Sequence, residues 1–405
     1  MAVHGISDPR FDRVRVAFRR LLAGRINGGG ALCVYEDGVP VLDIWGGTSD
    51  RRGTAAWTPS TGAMLYSASK GLSAIVVHRL ADRGLIDYDE PVATYWPEFA
   101  SAGGERVTVR KLMLHRGGHS QLRGIAAHPS ELLDHELMQS RLAAALPDRH
   151  YGKPAYHALT FGWLLAGLAG AVTGLSMREL WAAELSGPLG IDELSLGAPG
   201  PGSPLTLAEV VDPFRLGNAG LRDPVLKVMG RLPSPLGPLA GGIDAGRGSA
   251  RLFKAQDPAI FEAEMGAANG VASARALARI YAPLAGDGTL DGQRFLSAQT
   301  VAAFEGPFRR KADRALGVPM SWNHGFHRAP IPVVNGFGHV GYSGCFGWAD
   351  RETGMSVGFV HNRLTSTVVA DLGIFLWLLP MITRAASGTQ KGAKLALHQG
   401  QSPGS

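Results

Sequence analysis

Apolar residues fall at helical spacing close to the start of the chain, where Phe11, Val14, Val16, Phe18, Leu21 and Leu22 predict an amphipathic helix over 11–22. The pattern then changes. GALCVYE and VPVLDIWGG are apolar runs on either side of an Asp37-Gly38 turn signal, which predicts a β-hairpin. Helical periodicity returns in KGLSAIVVHRLADRGL, stops at Gly84, and continues through RVTVRKLMLH and FGWLLAGLAGAV. Residues 196–248 are rich in Gly and Pro and lack periodicity, so a functional lid or a poorly ordered insertion is expected there. Strand patterns reappear in NGFGHVGYSGCFGWAD and MSVGFVHN, separated by Arg351-Glu352-Thr353-Gly354, whose glycine suits a turn. An apolar helix is predicted over 365–382, and the polar residues 387–405 are expected to form a disordered tail.

Strands at both ends with helices between them predict an α+β fold, an α/β sandwich. One antiparallel sheet comes from the N- and C-terminal segments (1–75 and 270–386), flanked by helices, and a mostly helical domain (76–269) is inserted. The length of 405 residues agrees with two lobes, because single cores stop growing near roughly 250–300 residues. The cleft between the lobes is the expected site. The net charge of +6 comes from scattered arginines, and no Lys/Arg run forms a patch for nucleic acid. Cys33 and Cys345 sit among apolar or glycine-rich neighbours and are expected as two buried thiols. The first residues carry charges throughout without an apolar run, and the apolar stretches are short or interrupted by Asp371. Neither a secretory signal nor a membrane span is expected, and the expected location is cytoplasmic.

The candidate chemistry begins in TGAMLYSASKGLSA. Ser67 and Lys70, at i and i+3 on one helix, share a face, so the amine can reach the hydroxyl. A helix N-terminus there favours an oxyanion and a neutral amine, and a desolvated lysine can act as a base near neutral pH. Alone the motif is weak, since about half an S-x-x-K is expected by chance in a chain of this composition. Two further segments follow in order, PAYHALTFGWL and FGHVGYSGCFGWAD.

With those three segments the chain resembles the serine β-lactamase and penicillin-binding-protein superfamily, most closely its class C-like esterase branch, the family VIII carboxylesterases. The resemblance extends from the first hairpin to MSVGFVHN. It implies a β-lactamase/transpeptidase-like fold, with Ser67 as the acylated nucleophile, Lys70 as its partner and Tyr156 as a proton relay in the place of the family's Y-x-N tyrosine. It also implies an oxyanion hole from the N–H groups of Ser67 and Tyr342, with His339-Val340-Gly341 standing where β-lactamases carry K-T-G. Gly341 would let the strand approach the substrate closely.

Two departures bear on substrate. Ala158 replaces the asparagine of Y-x-N, and His339 replaces a lysine that pairs with the carboxylate of lactams and wall peptides. Hydrolysis of short-chain carboxylic esters is therefore expected. The expected partner is a small-molecule ester, with no cofactor, metal, nucleic acid or membrane span, and no motif sets an oligomeric state. A β-lactamase or D-amino-acid peptidase, an acyltransferase, and a non-catalytic binding or filament protein of the same fold remain open. Two other signals count for little. Gly400-Gln401-Ser402-Pro403-Gly404 matches the G-x-S-x-G elbow but has Pro where a helix should begin, and His115 and His119 in HRGGH lack an acidic partner for a metal.

Overall fold

The computed structural model describes residues 2–23, 27–211, 258–306, 309–330, 334–364 and 368–399. Its main sheet is built from the two ends of the chain. The strands are β1 (Val3–Ser7), β2 (Gly29–Glu36), β3 (Val39–Gly47), β4 (Trp322–Asn323), β5 (Phe326–His327), β6 (Phe337–Val340), β7 (Phe346–Asp350) and β8 (Met355–His361). They form one eight-stranded sheet in the order β1-β3-β2-β8-β7-β6-β5-β4. Every neighbouring pair is antiparallel, and β2 joins β8 from Gly30↔His361 to Glu36↔Met355. The predicted hairpin is β2–β3, where Asp37 and Gly38 take φ of 49° and 79°, the positive values that a tight Asp-Gly turn requires.

Both faces of this sheet are covered, and the period-2 alternation shows how. On β2, Leu32 and Val34 point into one core with Phe11 and with Val14 and Phe18 of helix α1 (Asp12–Leu22), while Ala31, Cys33 and Tyr35 point into the other. The first core is closed by Phe375, Leu378, Leu379 and Ile382 of the terminal helix. The second packs against helix α4 (Ala274–Ala285) and runs on into α2 (Ser69–Asp82) and α3 (Thr160–Thr173). Helix α2 passes through the expected domain boundary at 75–76, and one continuous core links the sheet lobe to the helical lobe. Cys33 and Cys345 are two buried thiols, as expected.

Helix α4 lies tightly on β8 because Gly358 leaves room for it. A Cβ at that position would sit 2.2 Å from the Ala274 carbonyl oxygen and 2.6 Å from the Ala278 nitrogen. Gly358→Ala should therefore cost about 1–3 kcal/mol through overpacking, seen as a lower urea midpoint at unchanged slope. An unchanged midpoint would contradict this seating of the helix.

The terminal helix, α5 (Val368–Gln399), extends past the expected end of order at 386. Ala, Leu, Lys and Gln in KGAKLALHQ are good helix formers, and their propensity outweighs the polarity that suggested a tail. Most of the Gly/Pro-rich stretch 196–248, from 212 onward, and the G-x-S-x-G segment at 400–404 lie outside the described residues. Short strands do form before 212, at Leu194–Leu196 and Thr206–Leu207. They join Gly270–Ala272 and Thr61–Met64 in a small second sheet. That sheet delivers the chain to Ser67. Among the described residues no single helix is long and apolar enough to cross a membrane.

Candidate active site

Strand Thr61–Met64 ends three residues before the candidate nucleophile, and the chain turns sharply into α2. Tyr66 takes a φ of 49°, a left-handed conformation that costs a non-glycine residue about 1–3 kcal/mol. Gly270 holds the turn from both sides. Its carbonyl accepts from the Leu65 N–H at 2.8 Å, and its N–H donates to Ser69 Oγ at 3.1 Å. Ser67 sits half-buried in the short Tyr66–Ala68 turn at the head of α2, and Lys70 lies in the first turn of that helix.

The i, i+3 spacing brings the pair together as expected. Lys70 Nζ donates to Ser67 Oγ at 3.1 Å and to the Ala267 carbonyl at 3.0 Å. The lysine is fully buried, and burial holds its amine well below the usual lysine range. The positive end of α2 works in the same direction, since it disfavours an ammonium. Both effects favour the neutral amine over the ammonium.

Tyr156 reaches the same serine from the helical lobe. The Ser67 side chain acts on the Tyr156 phenol, and Lys70 Nζ lies 4.9 Å from the ring centroid. Burial raises the Tyr156 pKa far above the usual tyrosine range, only partly offset by the Ser67 side chain. One proton site is thus pushed down and the other up. Burial therefore favours the uncharged form of both groups beside the Ser67 hydroxyl.

The third segment forms the opposite wall. Gly341, just past β6, presses on the nucleophile turn so closely that a Cβ there would lie 2.2 Å from the Leu65 carbonyl oxygen. Its N–H donates to Cys345 O at 2.7 Å, closing the turn that carries Tyr342. The Tyr342 ring is 5.7 Å from that of Tyr66 and is exposed. His339 is buried, with its ring 6.2 Å from Tyr156 and 5.1 Å from His327. Burial first, then the neighbouring His327 and Lys70, keep its pKa well below the ordinary histidine value. His339 is therefore a neutral ring at pH 7, and no cation stands in the K-T-G position. Ala158 packs half-buried against the group of Ala155, Tyr156, Ala315 and Trp322.

All six residues expected from the sequence thus meet at one place: Ser67, Lys70, Tyr156, His339, Gly341 and Tyr342. Sequence reasoning missed the groups that support Tyr156. Trp322 stacks on its ring, with centroids 5.2 Å apart and planes 4° from parallel, and the Asp313 carboxylate accepts its backbone N–H at 3.1 Å. Neither belongs to a motif. The only signal was a lone Trp and a lone Asp in a polar stretch.

The HRGGH segment lies behind Tyr156. His115 takes a φ of 55°, meets Tyr156 edge-on at 5.1 Å and accepts the His157 N–H at Nδ1. His119 sets its ring nitrogens against the carbonyls of Gly117 and Ala145. Among the described residues no group of three His, Cys, Asp or Glu side chains is placed to hold a metal ion.

The buried imidazoles also make stability depend on pH. Desolvation lowers the pKa of His157, His327 and His361 from 6.5 to about 4. Between those values the unfolded chain binds more protons than the folded one. Stability is then fullest above about pH 6.5 and falls toward pH 4, with each histidine contributing about 1 kcal/mol per pH unit in that window. Urea midpoints should drop steadily from pH 7 to pH 5. A midpoint constant over that range would mean that these rings are solvated.

Comparison with known proteins places this geometry. The family described as Beta-lactamase matches residues 15–379. The chain belongs to the Beta-lactamase family. It is 47% identical over 395 residues to the "Esterase/beta-lactamase LipL" of Mycobacterium tuberculosis, covering 96% of this chain and 90% of that protein. Among solved structures, a family VIII carboxylesterase superposes with a TM-score of 0.77 at 30% identity, covering 95% of this chain and all of the other. A penicillin-binding-protein homologue from Caulobacter crescentus superposes equally well, with a TM-score of 0.77 at 28% identity over 95% of this chain and all of that one. The fold is β-lactamase/transpeptidase-like, as the resemblance carried by the three motif segments implied. As a member of this family the protein is a serine hydrolase.

Proposed function

We propose that this protein is a carboxylesterase acting on short acyl chains through an acyl-enzyme on Ser67. The observation that carries the reading is the buried Lys70 amine, held below its ordinary pKa and bonded to Ser67 Oγ at 3.1 Å. Ser67 Oγ attacks the ester carbonyl carbon while its proton passes to Lys70 Nζ. The N–H groups of Ser67 and Tyr342 hold the oxyanion of the tetrahedral intermediate. As that intermediate collapses, the C–O bond to the alcohol breaks. Tyr156 gives the departing alkoxide its proton and recovers one from Lys70. Water then attacks the acyl-enzyme by the same route in reverse, which releases the acid and restores Ser67.

The neutral His339 favours an ester over a carboxylate-bearing lactam, because a carboxylate there would be desolvated without a counter-charge. The likenesses to LipL and to the family VIII carboxylesterase agree with this reading. The word β-lactamase in the former's name favours one second reading, a retained lactamase activity. Nitrophenyl esters from acetate to laurate, run beside a chromogenic cephalosporin, separate the two. The expected result is a maximum at short chains and ester turnover about 100-fold or more above cephalosporin turnover. Faster cephalosporin turnover would overturn the esterase reading, and a maximum at long chains would overturn the chain-length assignment.

A further inference from the structure

Asp313 is a carboxylate that the reaction does not use, and it is almost wholly buried, with 1% of its surface exposed. Burying a charged carboxylate costs several kcal/mol unless hydrogen bonds replace its water. Here N–H donors do so. Oδ1 accepts from the backbone nitrogens of Tyr156 at 3.1 Å, Ala315 at 2.9 Å and Leu316 at 2.9 Å. Oδ2 accepts from the indole nitrogen of Trp322 at 2.9 Å. Such bonds to an ionised acceptor are the strong kind.

Two of the four donors to this carboxylate bear on one residue. One of them is the N–H of Tyr156 itself. Another belongs to the indole that lies flat on the Tyr156 ring, 5.2 Å between centroids and 4° between planes. Trp322 is in turn fixed to the sheet, where β4 pairs with β5 through Trp322↔His327. The Asp313 backbone segment is tied to the same loop, since the Arg314 N–H donates to the Pro154 carbonyl at 2.8 Å. One side chain therefore sets both the backbone origin of Tyr156 and the plane of its ring. Together those two fix where the phenol oxygen falls.

We propose that Asp313 and Trp322 are positioning residues, a clamp that aims the Tyr156 hydroxyl at Ser67. The proposal rests on the role given to Tyr156 above. A phenol that must deliver a proton loses rate steeply when displaced by an ångström, while substrate binding is little affected. The clamp's contribution is therefore to kcat and not to KM, and it exists only while the Tyr156 hydroxyl is present.

A double-mutant cycle on the hydrolysis of ethyl butyrate, an alkyl ester whose leaving group needs the Tyr156 proton, reads this directly. Asp313→Asn keeps an oxygen for the backbone donors but turns an amide N–H toward the indole N–H, which breaks the bond to Trp322. It should lower kcat about tenfold or more with KM within about twofold, and change kcat by less than about twofold in the Tyr156→Phe background. Trp322→Phe keeps a stacking ring but removes the indole N–H from Asp313 Oδ2, so it should lower kcat about as far as Asp313→Asn, and Trp322→Ala, which also removes the stack, at least as far. Equal losses with and without the Tyr156 hydroxyl would show a general structural role and overturn the clamp. So would a change confined to KM. If thermal melting shows that Asp313→Asn does not fold, Trp322→Phe and Trp322→Ala carry the same cycle, and the same two outcomes support or overturn the clamp. Labelling of the unsubstituted protein by a fluorophosphonate separates the two levels. Labelled Ser67 with additive losses sinks the clamp alone, while an unlabelled Ser67 sinks the acyl-enzyme reading and the clamp with it.

Discussion

Ser67→Ala is expected to remove covalent labelling by a fluorophosphonate and to lower kcat for nitrophenyl butyrate by about 10⁴- to 10⁶-fold, the scale seen when a nucleophile acting as part of a unit is deleted. Lys70→Ala should fall nearly as far. The reason is geometric and electrostatic at once. The amine is the group bonded to Ser67 Oγ at 3.1 Å, and its burial makes it a base at a pH where an exposed lysine would be an ammonium. The same burial fixes the pH dependence. Activity should rise as Lys70 loses its proton and reach its plateau well below pH 10.5, the ordinary lysine value. Removing the amine leaves the Ala267 carbonyl without that donor, so folding must be checked by thermal melting. Intact mass after labelling gives the decisive readout. A Lys70→Ala protein that folds and labels at the unsubstituted rate would remove Lys70 from the mechanism.

Tyr156→Phe should cost about 100-fold or more on an alkyl ester such as ethyl butyrate, and clearly less on nitrophenyl butyrate. An ethoxide leaving group must receive a proton as the C–O bond breaks, whereas a nitrophenolate departs without one. The Tyr156 phenol is suited to giving that proton because burial keeps it protonated far beyond neutral pH. Phenylalanine preserves the stack on Trp322 and removes only the hydroxyl, so the comparison isolates proton transfer from packing. The measurement is kcat for both esters on both proteins. Equal losses on the two leaving groups would assign Tyr156 to substrate placement and not to proton delivery.

These two expectations differ in how far they could be reached from the chain alone. The Ser67–Lys70 contact follows from local geometry, since residues at i and i+3 of any helix share a face. The Tyr156 environment does not. Asp313 lies 157 residues from Tyr156, and nothing near either residue in sequence marks the pairing. The same holds for His339. Its place in H-x-G was legible, but its neutral state comes from burial first, then from His327 on the adjoining strand and Lys70 on α2.

What the sequence determined by itself is what short-range periodicity encodes. The alternation of Leu32 and Val34 against Ala31, Cys33 and Tyr35 set the two faces of β2, and Asp37-Gly38 set the turn. The order of S-x-x-K, Tyr156 and His339-Val340-Gly341 was enough to reach the family. Only the tertiary structure decided the protonation of Lys70, Tyr156 and His339, the Asp313–Trp322 support, and the continuity of one core across both lobes. A pattern along the chain says which face of an element is apolar, but a pKa and a side-chain aim depend on which distant groups come to lie against that face and how completely they exclude water.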